Sequence, residues 1–480
     1  MPTKKLLVLT AVFVALLAFV VLFERKQPTS EERAKSAKRL ADFKADDVVS
    51  VLLERPDLPK VELVRREKSR WTVASPLPES PADGWAAENL VSDLGRLEVV
   101  GETRTAFDPK EFGLDAPKAK ATLTFADKKT KTFAFGSPIP GTDAVAAADG
   151  PLFGAVKFPP LAALTKPVDD YRSKQLFDVP VSDVARLTVS RGPNTVVVGR
   201  EAKDAAGAPG RWRLEKPVQD LASETFVDRF LGDLAAARIS EFPSVPDADL
   251  PRVGLSPPAA TVVLEKGSEK IATIAFGAAK AEGAGGRMYA KVGALVVVVD
   301  DRVREDLDKE LSAYRETRVF PVDTFSLRRV AFSSDDLRAG ADKVEGAWRS
   351  AGRPVAALHA EGLAGVLARA EGRGFVPAPK NGKAAAEKPL ATVELAGEGD
   401  ETLRTAAFYA APGGSSPGVV AVAVSGRPER LLVDKSVLDE IRREAAALRD
   451  ESEGKPKAKA KAPTPEPTPV PGGLVKPPAR

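Results

Sequence analysis

Few side chains in this sequence could do chemistry. The 480-residue chain holds one histidine, His359, and no cysteine. The lack of cysteine excludes disulfides, thiolate metal sites, a cysteine nucleophile and lipid attachment through sulfur. A single histidine excludes a multi-histidine metal site within one chain and leaves one candidate for a histidine general base. Gly414-Ser415-Ser416-Pro417-Gly418 fits the G-x-S-x-G pattern of a hydrolase nucleophile. The residue after that nucleophile must lend a backbone N–H to the oxyanion hole, and Pro417 has none. The histidine should also follow the serine on that fold, yet His359 precedes it. The segment therefore reads as a Gly-rich loop between strands.

His359 falls near the start of an expected helix, at the place of Ala222 in an earlier copy of the same pattern, and reads as an ordinary surface or half-buried histidine. Asp46-Asp47, Asp169-Asp170, Asp300-Asp301 and Asp335-Asp336 are carboxylate pairs. Neighbours in a strand point to opposite faces, and Asp before a helix is a cap, so these pairs read as structural. Asn381-Gly382-Lys383 is followed by Ala384 and lacks the rest of a phosphate-binding loop. No catalytic, cofactor-binding or metal-ligating residue is assigned, and no cofactor is expected.

The elements that would position any site come from patterning. Apolar residues make up 43% and charged residues 29%, enough for a folded core. The formal net charge of +4 comes from the ends. Lys4, Lys5, Arg25, Lys26, Arg33, Lys35, Lys38 and Arg39 outweigh Glu24, Glu31 and Glu32 at the front. Lys455, Lys457, Lys459, Lys461, Lys476 and Arg480 outweigh Glu453 and Glu466 at the back. The body between is mildly acidic, which disfavours a nucleic-acid groove.

From Leu6 to Phe23 the chain is apolar apart from Thr10. As a helix that run is about 27 Å long, the short end of what spans a bilayer. It reads as an uncleaved membrane anchor, longer than a usual signal-peptide core. Lys and Arg counting favours a cytoplasmic body, but a short Lys-bearing N-terminus before one helix is the signal-anchor arrangement, and large domains translocate regardless of such charge. The expectation is a single-pass protein of the inner membrane with its body on the extracytoplasmic side.

The body repeats itself. Trp71 and Pro76 recur as Trp212 and Pro217, Gly113-Leu114 as Gly254-Leu255, and Phe135-Gly136 as Phe276-Gly277, each 141 residues on. Tyr171-Arg172 recurs as Tyr314-Arg315. A decayed third copy has Trp348, Arg353-Pro354-Val355 against Lys216-Pro217-Val218, and Leu432-Val433-Asp434 against Val298-Val299-Asp300. A period of that size implies tandem domains rather than a solenoid. Alternating runs at 48–53, 61–65, 71–74, 121–125, 131–135 and 152–156 predict strands, and 83–97 and 160–172 predict helices. The second copy predicts strands at 186–189, 196–199, 261–265, 271–276 and 296–300, with helices near 223–237 and 301–314. The expected fold is α+β: tandem strand-rich repeats, mostly antiparallel sheets with helices on one side, after one N-terminal transmembrane helix. Trp71 and Trp212 should fill the core, Gly113 and Gly254 should take a conformation closed to other residues, and Gly136 and Gly277 should end a strand at a turn.

The expected organisation is a tail at 1–5, a transmembrane helix at 6–23, a charged stalk at 24–44, repeat domains at 45–182 and 183–325, a degenerate repeat at 326–450 and a disordered Lys/Pro/Ala-rich tail at 451–480. The motif pieces are Trp71-Thr72-Val73-Ala74-Ser75-Pro76, Glu111-Phe112-Gly113-Leu114-Asp115-Ala116-Pro117 and Phe133-Ala134-Phe135-Gly136, with copies at 212–217, 252–258 and 274–277. With them the chain resembles a bacterial family known as domain of unknown function 4340, closely over 45–320 and weakly over 325–450. The first copy departs where a Tyr-bearing strand is expected; the second keeps it as Met288-Tyr289-Ala290. The resemblance implies one membrane helix, repeated β-rich domains and association with ABC-type transport systems resembling the gliding-motility auxiliary kind. It carries over no enzymatic residues.

The expected function is that of a membrane-anchored, non-enzymatic accessory or scaffold protein of the cell envelope. It would hold the membrane through Leu6 to Phe23 and meet protein partners in a membrane complex, ABC transporter subunits among them, with no nucleic acid. Two alternatives stand beside it: an envelope carbohydrate- or peptide-binding protein using clefts between repeats, and a hydrolase built on carboxylates.

Overall fold

The computed structural model describes residues 39–454 apart from 42, 67–69, 102, 141, 143, 158, 203–209, 281–285, 322–325, 379–386, 398–403 and 414–417. The expected anchor from Leu6 to Phe23, most of the stalk and nearly all of the C-terminal tail lie outside the described residues. So do Gly414 to Pro417 and Asn381-Gly382-Lys383. Among the described residues no helix is long and apolar enough to cross a membrane.

Three antiparallel sheets follow one another along the chain. The first takes β1 (Val48–Arg55), β2 (Leu58–Arg65), β3 (Trp71–Ser75), β4 (Ser80–Pro81), β5 (Ala119–Phe125), β6 (Thr130–Pro138), β7 (Ala144–Asp149) and β8 (Leu152–Lys157), in the order β4-β3-β2-β1-β5-β6-β7-β8. Helix α1 (Gly84–Gly95) lies between β4 and β5, and α2 (Pro159–Leu164) follows β8.

The second copy takes β9 (Arg186–Arg191), β10 (Asn194–Arg200), β11 (Trp212–Lys216), β12 (Asp220–Leu221), β13 (Ile239–Glu241), β14 (Ala260–Lys266), β15 (Glu269–Ala279), β16 (Arg287–Val292) and β17 (Leu295–Asp300). Its order is β12-β11-β10-β9-β14-β15-β16-β17-β13, with α3 (Glu224–Ala236) and α4 (Arg302–Leu307).

The third takes β18 (Arg329–Ser333), β19 (Arg338–Val344), β20 (Ala347–Ser350), β21 (Arg353–Pro354), β22 (Gly374–Pro377), β23 (Ala391–Ala396), β24 (Arg404–Ala410), β25 (Val419–Val424) and β26 (Glu429–Asp434). Its order is β21-β20-β19-β18-β23-β24-β25-β26-β22, with α5 (Ala357–Arg369) and α6 (Lys435–Ser452). The second and third orders are the same topology. In the first, two isolated bridges to β8, Val99 with Val156 and Arg104 with Phe153, stand where the ninth strand pairs in the others. By contacts the chain divides into two compact units, residues 1–197 with 228–308 and residues 198–227 with 309–480.

Strand alternation supplies the core. Val51, Leu53, Val61, Leu63, Val73, Leu123, Phe133 and Phe135 of the first sheet are buried with Leu90, Val91 and Leu94 of α1. Each such large side chain contributes about 1.5–3 kcal/mol by leaving water. Asp83 caps α1, its Oδ1 accepting from the Ala86 N–H at 2.9 Å. In the third copy Leu363, Val366 and Leu367 of α5 and Leu438, Ile441, Ala445 and Leu448 of α6 close the equivalent core.

The structure corrects several expectations. Gly136 and Gly277 do not end strands at turns. They lie inside β6 and β15, at irregularities in the pairing with the next strand. A Cβ on Gly136 would sit 2.1 Å from the Phe112 carbonyl oxygen, and on Gly277 2.3 Å from that of Val253. The glycines admit the preceding loop, whose Gly113 and Gly254 take φ of +66° and +70° as expected. The helix expected over 160–172 stops at Leu164, because Pro167 cannot continue it, and Val168–Asp170 forms a 3₁₀ turn. The helix expected over 301–314 is likewise α4 and a separate 3₁₀ turn, Leu311–Tyr314. Strand β7 has the sequence AVAAAD, alanine-rich and weak in strand propensity; it is a strand because five of its residues are buried.

The register of the third copy also shifts. Backbone N–H groups of Ala82, Ala222 and Val355 donate to the carbonyls of Trp71, Trp212 and Trp348. These three positions are therefore equivalent, and His359 matches Ala86 and Phe226 rather than Ala222. Pro354 pairs with Arg349 as Leu221 pairs with Arg213 and Pro81 with Thr72, so it does not match Pro217. Position by position, Ser80, Asp220 and Arg353 are counterparts.

Candidate functional site

The recurrent tryptophans are structural. Trp71 is 3% exposed, and its indole Nε1 donates to Glu88 Oε1 of α1 at 2.8 Å. Arg65 lies 4.8 Å over the ring and donates to Glu88 Oε2 at 2.6 Å. Trp348 repeats this with Glu361 of α5 at 3.1 Å and Lys343 5.6 Å over the ring. Arg200 lies 4.4 Å over Trp212. Each ring is thus braced by a cation from the neighbouring strand. Exchanging Glu88 for Gln removes the charge that Arg65 meets; we expect a loss of about 0.5–1.5 kcal/mol in denaturant unfolding, with the fold intact.

The sequence-level chemical candidates are scattered. His359 Nδ1 sits 3.2 Å from Glu444 Oε2, bracing α5 against α6. Asp46-Asp47 and Asp169-Asp170 lie in short 3₁₀ turns, and Asp300 holds Arg302. Asp335 pairs with Lys388 and Asp336 with Arg442. Among the described residues no three His, Cys, Asp or Glu groups gather to hold a metal.

One carboxylate is electrostatically unusual. Asp306 of α4 is 1% exposed and accepts from Arg229 Nη2 at 2.6 Å. Burial pushes its pKa above the ordinary Asp value, against the pull of Arg229, and the Asp233 carboxyl beside it pushes the same way. A raised pKa means the folded state holds this proton more tightly than the unfolded chain. Its stabilising contribution is therefore full below the ordinary Asp range and lost as pH rises through the raised value. Asp306→Asn should exceed the wild type in Tm at pH 7.5, with the gap narrowing as pH falls. A gap that stays constant with pH would contradict this.

The position shared by Ser80 and Asp220 faces two different surroundings. In the unit formed by 198–227 and 309–480, Asp220 is fully buried. Its Oδ2 accepts from Arg315 Nε at 2.9 Å and Nη2 at 2.6 Å, and from Arg427 Nη2 at 3.1 Å, while its Oδ1 accepts from Arg427 Nε at 2.9 Å. Arg427 comes from the β25–β26 turn and donates also to the Glu316 carbonyl at 2.5 Å. Arg315 donates to Glu429 and stacks 3.4 Å from the Phe375 ring centroid. Charge and hydrogen bonds are matched there.

In the unit formed by 1–197 and 228–308 the counterpart is a cavity of about 490 Å³. Ser80 stands in place of Asp220, and the β16–β17 turn is Gly293-Ala294, with no long side chain to insert. Phe242, in the place of Phe375, lines the cavity with Phe177, Leu176 and Ile271. Arg172, in the place of Arg315, lies 5.3 Å from the Phe242 centroid, and Lys174 Nζ lies 4.7 Å from it. This cavity is the candidate site. None of its residues stood out in the sequence except Trp71; the signal available was Ser80 aligned against Asp220 between copies.

No curated protein matches the chain at a significant level. The family model described as a domain of unknown function, DUF4340, matches twice, over residues 71–242 and 212–389. Both matches begin on the braced tryptophan and run across one repeat into the next. By these two matches, which together span most of the chain, the protein belongs to the DUF4340 family.

Proposed function

We propose that this is a membrane-anchored, non-enzymatic accessory or scaffold protein of the cell envelope, with its body on the extracytoplasmic side and serving an ABC-type transport system. The observation that carries this reading is the repetition of closely related antiparallel sheets, twice with one nine-stranded topology and once without the ninth strand, behind an apolar N-terminal run. Repeated modules multiply surface for protein partners, and the run from Leu6 to Phe23 has the length and flanks of an anchor. The scattering of the carboxylates favours it over a hydrolase. Crosslinking in intact cells, followed by purification of the full chain from native membranes, tests it. Stoichiometric protein partners, transporter subunits among them, are the expected result; recovery of the chain alone would overturn it.

The cavity favours a second reading, an envelope ligand-binding protein of the carbohydrate- or peptide-binding kind. Phe177 and Phe242 give it the aromatic lining that such a site uses.

A further inference from the structure

The chemistry of the cavity narrows what would fill it. Ser80 is 4% exposed, lines the cavity, and its Oγ has no hydrogen-bond partner among the described residues. Arg172 is 7% exposed; its Nη1 reaches Asp169 at 3.1 Å, but its Nε has no partner among the described residues. A buried polar atom left unmatched is costly, on the scale of a lost hydrogen bond or more. The equivalent atoms of the other unit are matched: Arg315 Nε donates to the Asp220 carboxylate, which occupies the place of the Ser80 hydroxyl. The space beside them there holds the Arg427 side chain, and here it is open.

The rim carries Arg70, Lys270, Glu79 and Asp178. Glu79 is engaged by Arg66 at 3.0 Å. Lys174, behind Phe242, gives its Nζ hydrogen bond to a backbone carbonyl, that of Asp169, at 2.7 Å. What the cavity lacks, compared with its counterpart, is one carboxylate and one apolar-stemmed side chain.

We propose that the cavity binds a small amphipathic carboxylate. The ligand's carboxylate takes the place of the Asp220 carboxylate, accepting from Ser80 Oγ and Arg172 Nε. Its aliphatic or aromatic body lies against Phe177, Phe242 and Ile271, in the room that Arg427 fills elsewhere. This deepens the ligand-binding reading and is independent of the scaffold reading.

The test is titration calorimetry of the full chain in lipid nanodiscs, with empty nanodiscs as blank and water-soluble probes of one shape: 4-phenylbutanoate, 4-phenylbutanol and 4-phenylbutylammonium. The carboxylate should bind saturably, about tenfold or more tighter than either of the others. Ser80→Ala should weaken it about tenfold, and Ala294→Trp, at an exposed turn that tolerates bulk, should abolish binding while leaving the circular dichroism unchanged. Ser80→Asp should reverse the preference toward the ammonium probe, since it restores the charge found at Asp220. Equal binding of all three probes would overturn the carboxylate assignment and leave a plain apolar ligand site. Absence of saturable binding by any probe would overturn the site itself.

Discussion

Asp220→Ala is expected to cost about 3–5 kcal/mol, the range for breaking a buried ion pair from one side. The Asp220 side chain is fully buried, and the guanidinium groups of Arg315 and Arg427 converge on it at 4% and 0% side-chain exposure. Removing the carboxylate leaves two desolvated like charges beside the Phe375 ring, with Glu429 and the Glu316 carbonyl to hold them. Asp220→Asn should lie between, because the amide keeps an acceptor but loses the charge. Asp220→Ala combined with Arg427→Met should recover part of the loss, since the second change removes one stranded cation and keeps an apolar stem. The chain is multidomain, so the readout is the unfolding transition that carries the third sheet, followed through Trp348, rather than one global midpoint. A loss below about 1 kcal/mol, or a double variant worse than the single, would contradict the role given to this cluster.

Gly277→Ala is expected to lose about 1–3 kcal/mol through overpacking against backbone. The added methyl would meet the Val253 carbonyl oxygen, which itself accepts from the Ala278 N–H at 2.8 Å. The Val253-Gly254 loop must lift, and that hydrogen bond goes with it. Gly232→Ala is the control of opposite sign: it lies exposed within α3, a Cβ there meets nothing, and the change should stabilise by about 0.5–1 kcal/mol. If both variants moved Tm alike, the close approach would not be what Gly277 is for.

How far the fold could be read from the sequence follows the same particulars. The 141-residue spacing of Trp-Pro, Gly-Leu and Phe-Gly marked one module twice, because each pair sits where backbone geometry or a large ring leaves little choice. The alternating strands were equally plain. β7 was hidden because its alanines carry no strand signal; burial alone makes it a strand. The third copy was misaligned because its loop between β20 and β21 is shorter, so Pro354 fell against Pro217 when it belongs with Leu221 and Pro81. The candidate cavity was hidden for another reason. Ser80, Arg172, Phe242 and Gly293 are far apart in sequence, and only Arg172 belongs to a pair that recurs between copies. Only the sheet order brings them to one place, and only their counterparts Asp220, Arg315, Phe375 and Arg427 show what is missing there.

The envelope reading rests on the apolar run and on which side of the membrane the body lies. Protease treatment of intact spheroplasts expressing the full chain, with fractionation and a high-salt wash, tests both together. Residues 40–452 are expected to stay with the salt-washed membranes and to be digested by protease added outside. A body released into the soluble fraction, or one protected until the membrane is broken, would contradict it.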